Sequence, residues 1–239
     1  MATETEFERE LEIFRTDEEN AQQYFFSYLS VRSLAAKDTG VLGVMNTTPL
    51  FWITAHHAML LAAFVALGRI FDQNSEHNLD HLLNVASSDL SIFSKDALRL
   101  RKETVVTKQQ AAAFVEDAHE LTSADIRILR SQIAVRRATY ETRYRDIRDK
   151  VFAHNALPDV EQVHDLLVKT NVDEMKDIFG FLHALYVALD GLLLNGHKPD
   201  VKPYKFRLPP DGSSPGRMAP GERVYREGHA MLKQMLPTI

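Results

Sequence analysis

One segment of the 239-residue chain carries residue types that suit the cleavage of a phosphodiester. Arg148 is followed by Asp149, and five residues separate the arginine from His154, so the segment reads Arg-x5-His. A histidine can exchange protons at neutral pH, and an arginine can hold a pentavalent phosphate through paired donors. Together these side chains could cleave RNA without a metal ion and leave 2′,3′-cyclic phosphate and 5′-hydroxyl ends.

Basic residues are concentrated around this segment. Residues 127–150 contain eight basic and three acidic side chains, a net charge of +5 in a chain whose formal net charge is −5. Such a stripe can bind phosphates while the acidic remainder discourages indiscriminate binding of nucleic acid. The alternative is a solvated helix face with i, i+4 ion pairs, Glu141 with Arg145 and Asp146 with Lys150. The candidate RNA-binding residues are Arg137, Tyr144, Arg145, Lys150 and Asn155.

Two residues next to the candidate pair have open roles. Asp149 could orient Arg148 or a histidine of a second chain, or it could pair with Arg145 one turn earlier. Asn155 could supply a polar contact or help to end the helix.

Sites of other kinds are weakly indicated or excluded. His77 and His81 are spaced i, i+4 and could grip a metal ion, but the amide-rich residues around them favour a solvated helix start. The chain has no cysteine, which excludes disulfides, thiolate metal sites and a cysteine nucleophile. Glycine-rich phosphate loops of the Gly-x-Gly-x-x-Gly and Gly-Lys-Ser/Thr kinds are also absent. We therefore expect neither a metal ion nor a cofactor.

Helical periodicity dominates the elements that must position these residues. Thr3 with Glu6 has the spacing of a capping box and predicts a helix to about Ala36. Glycines and an asparagine predict a loop over residues 37–48, and Pro49 suits the first turn of the next helix, which ends near residue 72. Further helices are predicted at residues 77–87, 94–103, 108–119, 159–168 and 171–194, with Asn195 and Gly196 as the last stop signal.

The longest predicted helix runs from Ser123, after a Thr122–Asp125 capping-box spacing, to about Phe152. On a straight helix, residues six apart point about 120° away from each other. Arg148 and His154 would therefore not converge within one helix, so either the helix breaks near Phe152 or two chains bring their motifs together. The apolar stripe of this helix, which suits packing in a bundle, comprises Ile126, Ile133, Tyr140, Tyr144, Ile147 and Val151.

The composition changes near the C-terminus. Six of the nine prolines lie between Pro199 and Pro220, which predicts an extended arm that is not a packed element, followed by a helix over residues 222–235. The predicted fold is all-α: an antiparallel helical bundle with small helical insertions and a C-terminal Pro-rich arm plus helix. The predicted domains are residues 1–196 and 197–239. The apolar stretches 50–71 and 178–194 contain polar residues and predict core helices rather than membrane spans, and no signal peptide is evident.

The Arg-x5-His segment resembles the Arg-x4–6-His signature of the HEPN superfamily (higher eukaryotes and prokaryotes nucleotide-binding). Residues 148–155, Arg-Asp-Lys-Val-Phe-Ala-His-Asn, are similar to the second motif of the abortive-infection U type branch. Residues 67–72, Leu-Gly-Arg-Ile-Phe-Asp, follow a helix that contains Trp52 and look like the earlier helix of that branch. The resemblance covers roughly residues 51–194.

The resemblance implies a metal-independent endoribonuclease used in phage defence, as in abortive infection or toxin–antitoxin systems. It implies catalytic roles for Arg148, His154 and Asp149, and a cytoplasmic homodimer whose composite cleft cleaves RNA, with Tyr144, Ile147 and Val151 near the seam. An antitoxin or another regulatory protein is a further possible partner. Some HEPN toxins carry a tyrosine two residues after the histidine that a partner enzyme adenylylates; here that residue is Ala156. The alternative function is a non-catalytic HEPN-fold module that binds RNA, a nucleotide or a partner protein.

Overall fold

The computed structural model describes residues 3–149, 171–208 and 218–236, and these residues contain helices but no strand. The predicted all-α helical bundle is confirmed. The predicted helix over residues 159–168 lies outside the described residues. A 3-10 turn at Leu90–Phe93 separates two of the described helices. The α-helices are α1 Glu4–Ala35, α2 Thr39–Thr47, α3 Pro49–Phe71, α4 Leu79–Ser88, α5 Lys95–Glu103, α6 Lys108–Phe114, α7 Ser123–Thr139, α8 Val172–Asn195 and α9 Pro220–Gln234.

Side-chain caps begin several helices where the sequence predicts them. Thr107 and Thr122 each form a complete capping box, which starts α6 and α7. Asn171 caps α8 by accepting hydrogen bonds from the backbone N–H groups of Asp173 and Glu174, at 2.9 and 3.2 Å. Each cap satisfies N–H groups that have no partner within the helix, so a local signal is enough to place these starts.

The predicted loop over residues 37–48 is wrong, because the segment forms α2. Asp38 caps this helix by accepting from the backbone N–H groups of Gly40 and Val41, at 2.9 and 3.2 Å. Val41 and Met45 are buried in one apolar cluster with Trp52. The cap and this burial outweigh the poor helix propensity of glycine and asparagine.

The chain folds into two compact units whose segments interleave along the sequence. The first unit comprises Met1–Thr16, Arg69–Thr142 and Gly180–Tyr204, and the second comprises Asp17–Gly68, Arg143–Phe179 and Lys205–Ile239. The predicted division into residues 1–196 and 197–239 stays a prediction.

Within the first unit, α4 packs on α7 and α5 packs on α6. Phe71 stacks on Tyr140, with ring centroids 5.4 Å apart, and Phe7 meets Phe93 edge to face at 4.9 Å. Gly196 follows α8 with a φ of 62°, a left-handed conformation that favours glycine, so the predicted stop signal is confirmed.

Within the second unit, α9 completes the apolar core. Ser30 of α1 donates a buried hydrogen bond to the backbone carbonyl of Tyr225, at 3.0 Å. Phe25 lies 5.1 Å from Phe179, measured between ring centroids. The apolar cluster of this unit contains Val31, Leu34, Val41, Met45, Trp52 and Leu232.

The described part of the Pro-rich arm has no regular secondary structure, but the expectation that it is not packed is wrong. Residues 197–208 form neither helix nor strand, yet Val201 is buried. The Tyr204 N–H donates to the carbonyl of Gly180 at 2.9 Å, and the ring of Phe206 lies 4.5 Å from that of Phe26. Prolines exclude a helix here without excluding burial.

Two described helices, α3 and α8, are long and apolar enough to cross a membrane by length and composition, a test that core helices of soluble proteins also pass. In their most apolar windows, 33% of the α3 residues and 50% of the α8 residues are buried. The start of α3 exposes Leu50, Phe51 and Ile53, so only its later part is the buried core helix that the sequence predicts.

Candidate active site

The helix that leads to the candidate catalytic residues is not a straight α-helix. Residues after Thr139 form π-helical turns at Tyr140–Tyr144 and again at positions 147–149. A π-turn closes its hydrogen bonds over five residues instead of four, and such turns are often found at functional sites. The predicted long helix is therefore helical but not α-helical throughout its described part, and residues 150–152 of the prediction lie outside the described residues.

The described part of this helix ends at Asp149. The predicted catalytic residue His154 and the predicted RNA-binding residues Lys150 and Asn155 lie outside the described residues, as does Val151 of the apolar stripe.

Tyr144 anchors the π-helical segment within the second unit. Its side chain is fully buried, and its ring stacks on Phe64 of α3 with centroids 5.9 Å apart. Its hydroxyl donates to Glu174 Oε2 at the start of α8, and Arg143 Nη1 lies 3.2 Å from Glu174 Oε1. Burial and then the hydrogen bond to Glu174 raise the pKa of Tyr144, so the phenol is neutral at physiological pH. The ring therefore presents no exposed face for the RNA contact that the sequence predicts.

Arg148 and Asp149 form a close ion pair. The Arg148 Nε–H donates to Asp149 Oδ1 at 2.6 Å, and the Arg148 side chain is 18% exposed. The second oxygen of the same carboxylate, Oδ2, lies 3.8 Å from Arg145 Nε. Asp149 therefore contacts both of the partners that the sequence suggests for it within its own chain, Arg148 and Arg145.

Arg148 lies against Gly68 of α3. A Cβ atom built on Gly68 would lie 2.9 Å from Arg148 Cδ and 3.2 Å from Cζ, and closer still to Nη1. One turn earlier on α3, Phe64 receives the ring of Tyr144. This segment of α3 thus supports both the anchor and the arginine. The sequence does not predict this contact; its only signal is a glycine inside an apolar helix, where alanine would be more favourable.

The earlier part of the basic stripe is engaged inside the first unit. Arg137 Nη2 lies 2.8 Å from Asp80 Oδ1, and its side chain is only 12% exposed. Burial acts to raise the pKa of Asp80, but hydrogen bonds from Arg137 and Gln73 outweigh it and lower that pKa. Arg130 donates to Asn84 at 2.7 Å. In this part of the stripe, Arg137 and Arg130 contact side chains of α4, and neither contact is one of the i, i+4 ion pairs of the alternative interpretation, whereas Arg145 stays partly exposed.

His77 and His81 face a buried carboxylate in the first unit. His77 Nδ1 donates to Glu10 Oε2 at 2.9 Å, and His81 Nε2 lies 3.7 Å from Oε1. Among residues 3–149, 171–208 and 218–236, no group of three or more histidine, cysteine, aspartate or glutamate side chains is placed to hold a metal ion.

A protein-family model matches most of the sequence of this chain. The model for HEPN AbiU2, described as AbiU2, matches residues 4–207, a span that begins earlier and ends later than the resemblance seen in the motifs. No curated protein and no solved structure gives a significant match. Because the family model covers most of the chain, including α1 to α8 and the described part of the arm, the chain belongs to the AbiU2 family of the HEPN superfamily.

Proposed function

We propose that this HEPN module is a metal-independent endoribonuclease that acts in phage defence or as a toxin. The observation that carries the proposal is the placement of Arg148, which Asp149 and Gly68 hold on a segment anchored by the buried Tyr144. A guanidinium fixed in advance can stabilise charge that develops on a phosphate without first having to reorganise. Family membership supports the same assignment.

The proposed reaction uses the two motif residues in complementary roles. His154 accepts the proton of the ribose 2′-hydroxyl as the 2′-oxygen attacks phosphorus, and the bond from phosphorus to the 5′-oxygen breaks. The 5′-oxygen leaves with a proton, again delivered by a histidine. Arg148 stabilises the pentavalent phosphate, and Asp149 orients the guanidinium through Nε. The products are a 2′,3′-cyclic phosphate and a 5′-hydroxyl end.

Arg145, Lys150 and Asn155 are the proposed RNA contacts. Arg137 pairs with Asp80 and Tyr144 is buried, so in this proposal both act as structural supports. We further propose a cytoplasmic homodimer that forms a composite cleft, with an antitoxin or another regulatory protein as a possible partner. Tyr144 and Ile147 are fully buried within their own chain, which leaves the contact between subunits to other residues.

The deciding experiment incubates the purified protein with total RNA, with and without EDTA. We expect cleavage that survives EDTA and falls at least about 10²-fold in both Arg148→Ala and His154→Ala. Arg223→Ala is the matched control, because Arg223 is an exposed arginine of α9 paired with Glu227 at 3.0 Å. Cleavage that persists in His154→Ala would remove that histidine from the mechanism.

A non-catalytic module that binds RNA, a nucleotide or a partner protein is the second candidate. The partly buried Arg148–Asp149 pair favours it, since such a pair also stabilises a fold that performs no chemistry. This candidate requires binding without turnover. RNA binding at the basic stripe should weaken steeply with added salt, whereas an interaction insensitive to salt would indicate a protein partner.

A further inference from the structure

Gly68 occupies an unexpected place for a glycine. It is buried in the interior of α3, three residues before the helix ends at Phe71. Glycine is among the least favourable residues inside a helix, and the preceding turn of α3 contains alanines. A structural reason is therefore needed at this position.

Arg148 supplies that reason. The three atoms that a Cβ on Gly68 would meet first, Nη1, Cδ and Cζ, all belong to Arg148. Gly43 is another helical glycine of the second unit, and a Cβ placed on it would meet no atom of the described residues within 4 Å. The space above Gly68 is thus filled specifically by the arginine side chain.

We propose that Gly68 is a positioning residue for Arg148. The absent side chain leaves a slot against α3 in which the guanidinium lies, while Asp149 fixes its Nε–H. The ring contact between Phe64 and Tyr144 holds α3 and the π-helical segment together beside this slot. A methyl group at residue 68 would therefore displace the flexible arginine rather than the helices.

This inference rests on the proposed ribonuclease function, because the position of the guanidinium matters most to a reacting phosphate. A displacement of about 1 Å at a catalytic group can lower the rate on the order of 10²-fold. The arginine acts on charge that develops in the transition state, so the loss should appear in kcat, with little change in KM.

The test compares Gly68→Ala with Gly43→Ala, the matched control. We expect kcat on an RNA oligonucleotide to fall about 10²-fold in Gly68→Ala, with little change in KM. The midpoint of urea unfolding should equal or exceed that of the parent. Gly43→Ala should leave kcat unchanged. In an Arg148→Ala background, Gly68→Ala should cause no further loss of kcat, because the group that it displaces is gone. Unchanged kcat in Gly68→Ala, or an additional loss in the Arg148→Ala background, would overturn the inference.

A second measurement separates this inference from the proposed function. The Nε–H resonance of Arg148 can be assigned by its disappearance in Arg148→Lys, and we expect it to shift in Gly68→Ala but not in Gly43→Ala. If the parent protein cleaves no RNA, the ribonuclease proposal fails, and an unshifted resonance would overturn the positioning role as well. If the parent cleaves RNA and Arg148→Ala does not, while Gly68→Ala keeps full kcat, the function stands and the positioning role is overturned.

Discussion

Replacing Tyr144 by phenylalanine should destabilise the protein through the loss of one buried hydrogen bond. A hydrogen bond to a charged group contributes about 1.5–3 kcal/mol to stability. Glu174 is 21% exposed and Arg143 lies 3.2 Å from its other oxygen, so the carboxylate keeps some of its partners after the change. We therefore expect the free energy of unfolding to fall by about 1.5–2 kcal/mol, at the lower end of that range. Phenylalanine keeps the ring that stacks on Phe64, so no cavity forms.

Urea unfolding at neutral pH measures this loss. With a slope of about 2 kcal/mol per molar urea, the midpoint should move down by about 0.75–1 M. Tyr24→Phe on α1 is the control, because Tyr24 is exposed and its hydroxyl should contribute less than about 0.5 kcal/mol. A double-mutant cycle with Glu174→Ala, which removes the acceptor, should give a coupling energy of similar size to the single loss. A change in Tyr144→Phe no larger than the control, together with no coupling, would refute the buried hydrogen bond and the anchoring role built on it.

Three further outcomes are expected. The lowered pKa of Asp80 means that its bond to Arg137 stabilises the fold above the usual aspartate pKa and is lost as pH falls through the lowered value. Asp80→Asn should thus cost about 1–2 kcal/mol at neutral pH and little in strong acid, as measured by urea unfolding at both. Because the pKa of Tyr144 is raised, its stabilising contribution is fully present below the usual tyrosine pKa and is lost as pH rises through the raised value. The free energy of unfolding should therefore fall less between neutral and alkaline pH in Tyr144→Phe than in the parent. Gly196→Ala should lower the free energy of unfolding by at least about 1–2 kcal/mol, because the backbone is left-handed and the new Cβ would lie 2.8 Å from Leu98 Cδ2; a melting temperature equal to the parent's would contradict this.

Features that depend on neighbouring residues in the sequence are predictable from it. The capping boxes at Thr107 and Thr122 need only two side chains three residues apart, and both form. The apolar stripe predicts burial correctly as far as it is described, because Ile126, Ile133 and Ile147 are all buried.

Features that depend on distant parts of the chain are not predictable in this way. The residues of α2 read as a loop because nothing local shows that Val41 and Met45 will pack on Trp52. In the same way, the prolines of the arm do not show that Tyr204 will bond to Gly180. The π-helical turns escape prediction because residue spacing is interpreted with the α-helical period throughout.

In the candidate site, too, contacts between neighbours in the sequence are predictable and contacts between distant residues are not. Arg148 and Asp149 are neighbours in the sequence, and their pairing is among the arrangements that the sequence predicts. Tyr144 has the same residue type whether it stacks on a base or binds a buried carboxylate, and Glu174 lies 30 residues away. Gly68 lies on a different helix from Arg148, and only the folded structure brings them together.

The contribution of α9 to the core of the second unit determines when that unit can complete its fold during synthesis. Leu232 belongs to the same apolar cluster as Trp52, and the Gly221 N–H donates to Gln22 in the interior at 3.2 Å. A nascent chain that includes Arg148 but does not yet reach Gln234 therefore has an incomplete hydrophobic core in this unit. A truncation before α9 should therefore give a product that is prone to degradation, because the core of the second unit is complete only once α9 has been translated.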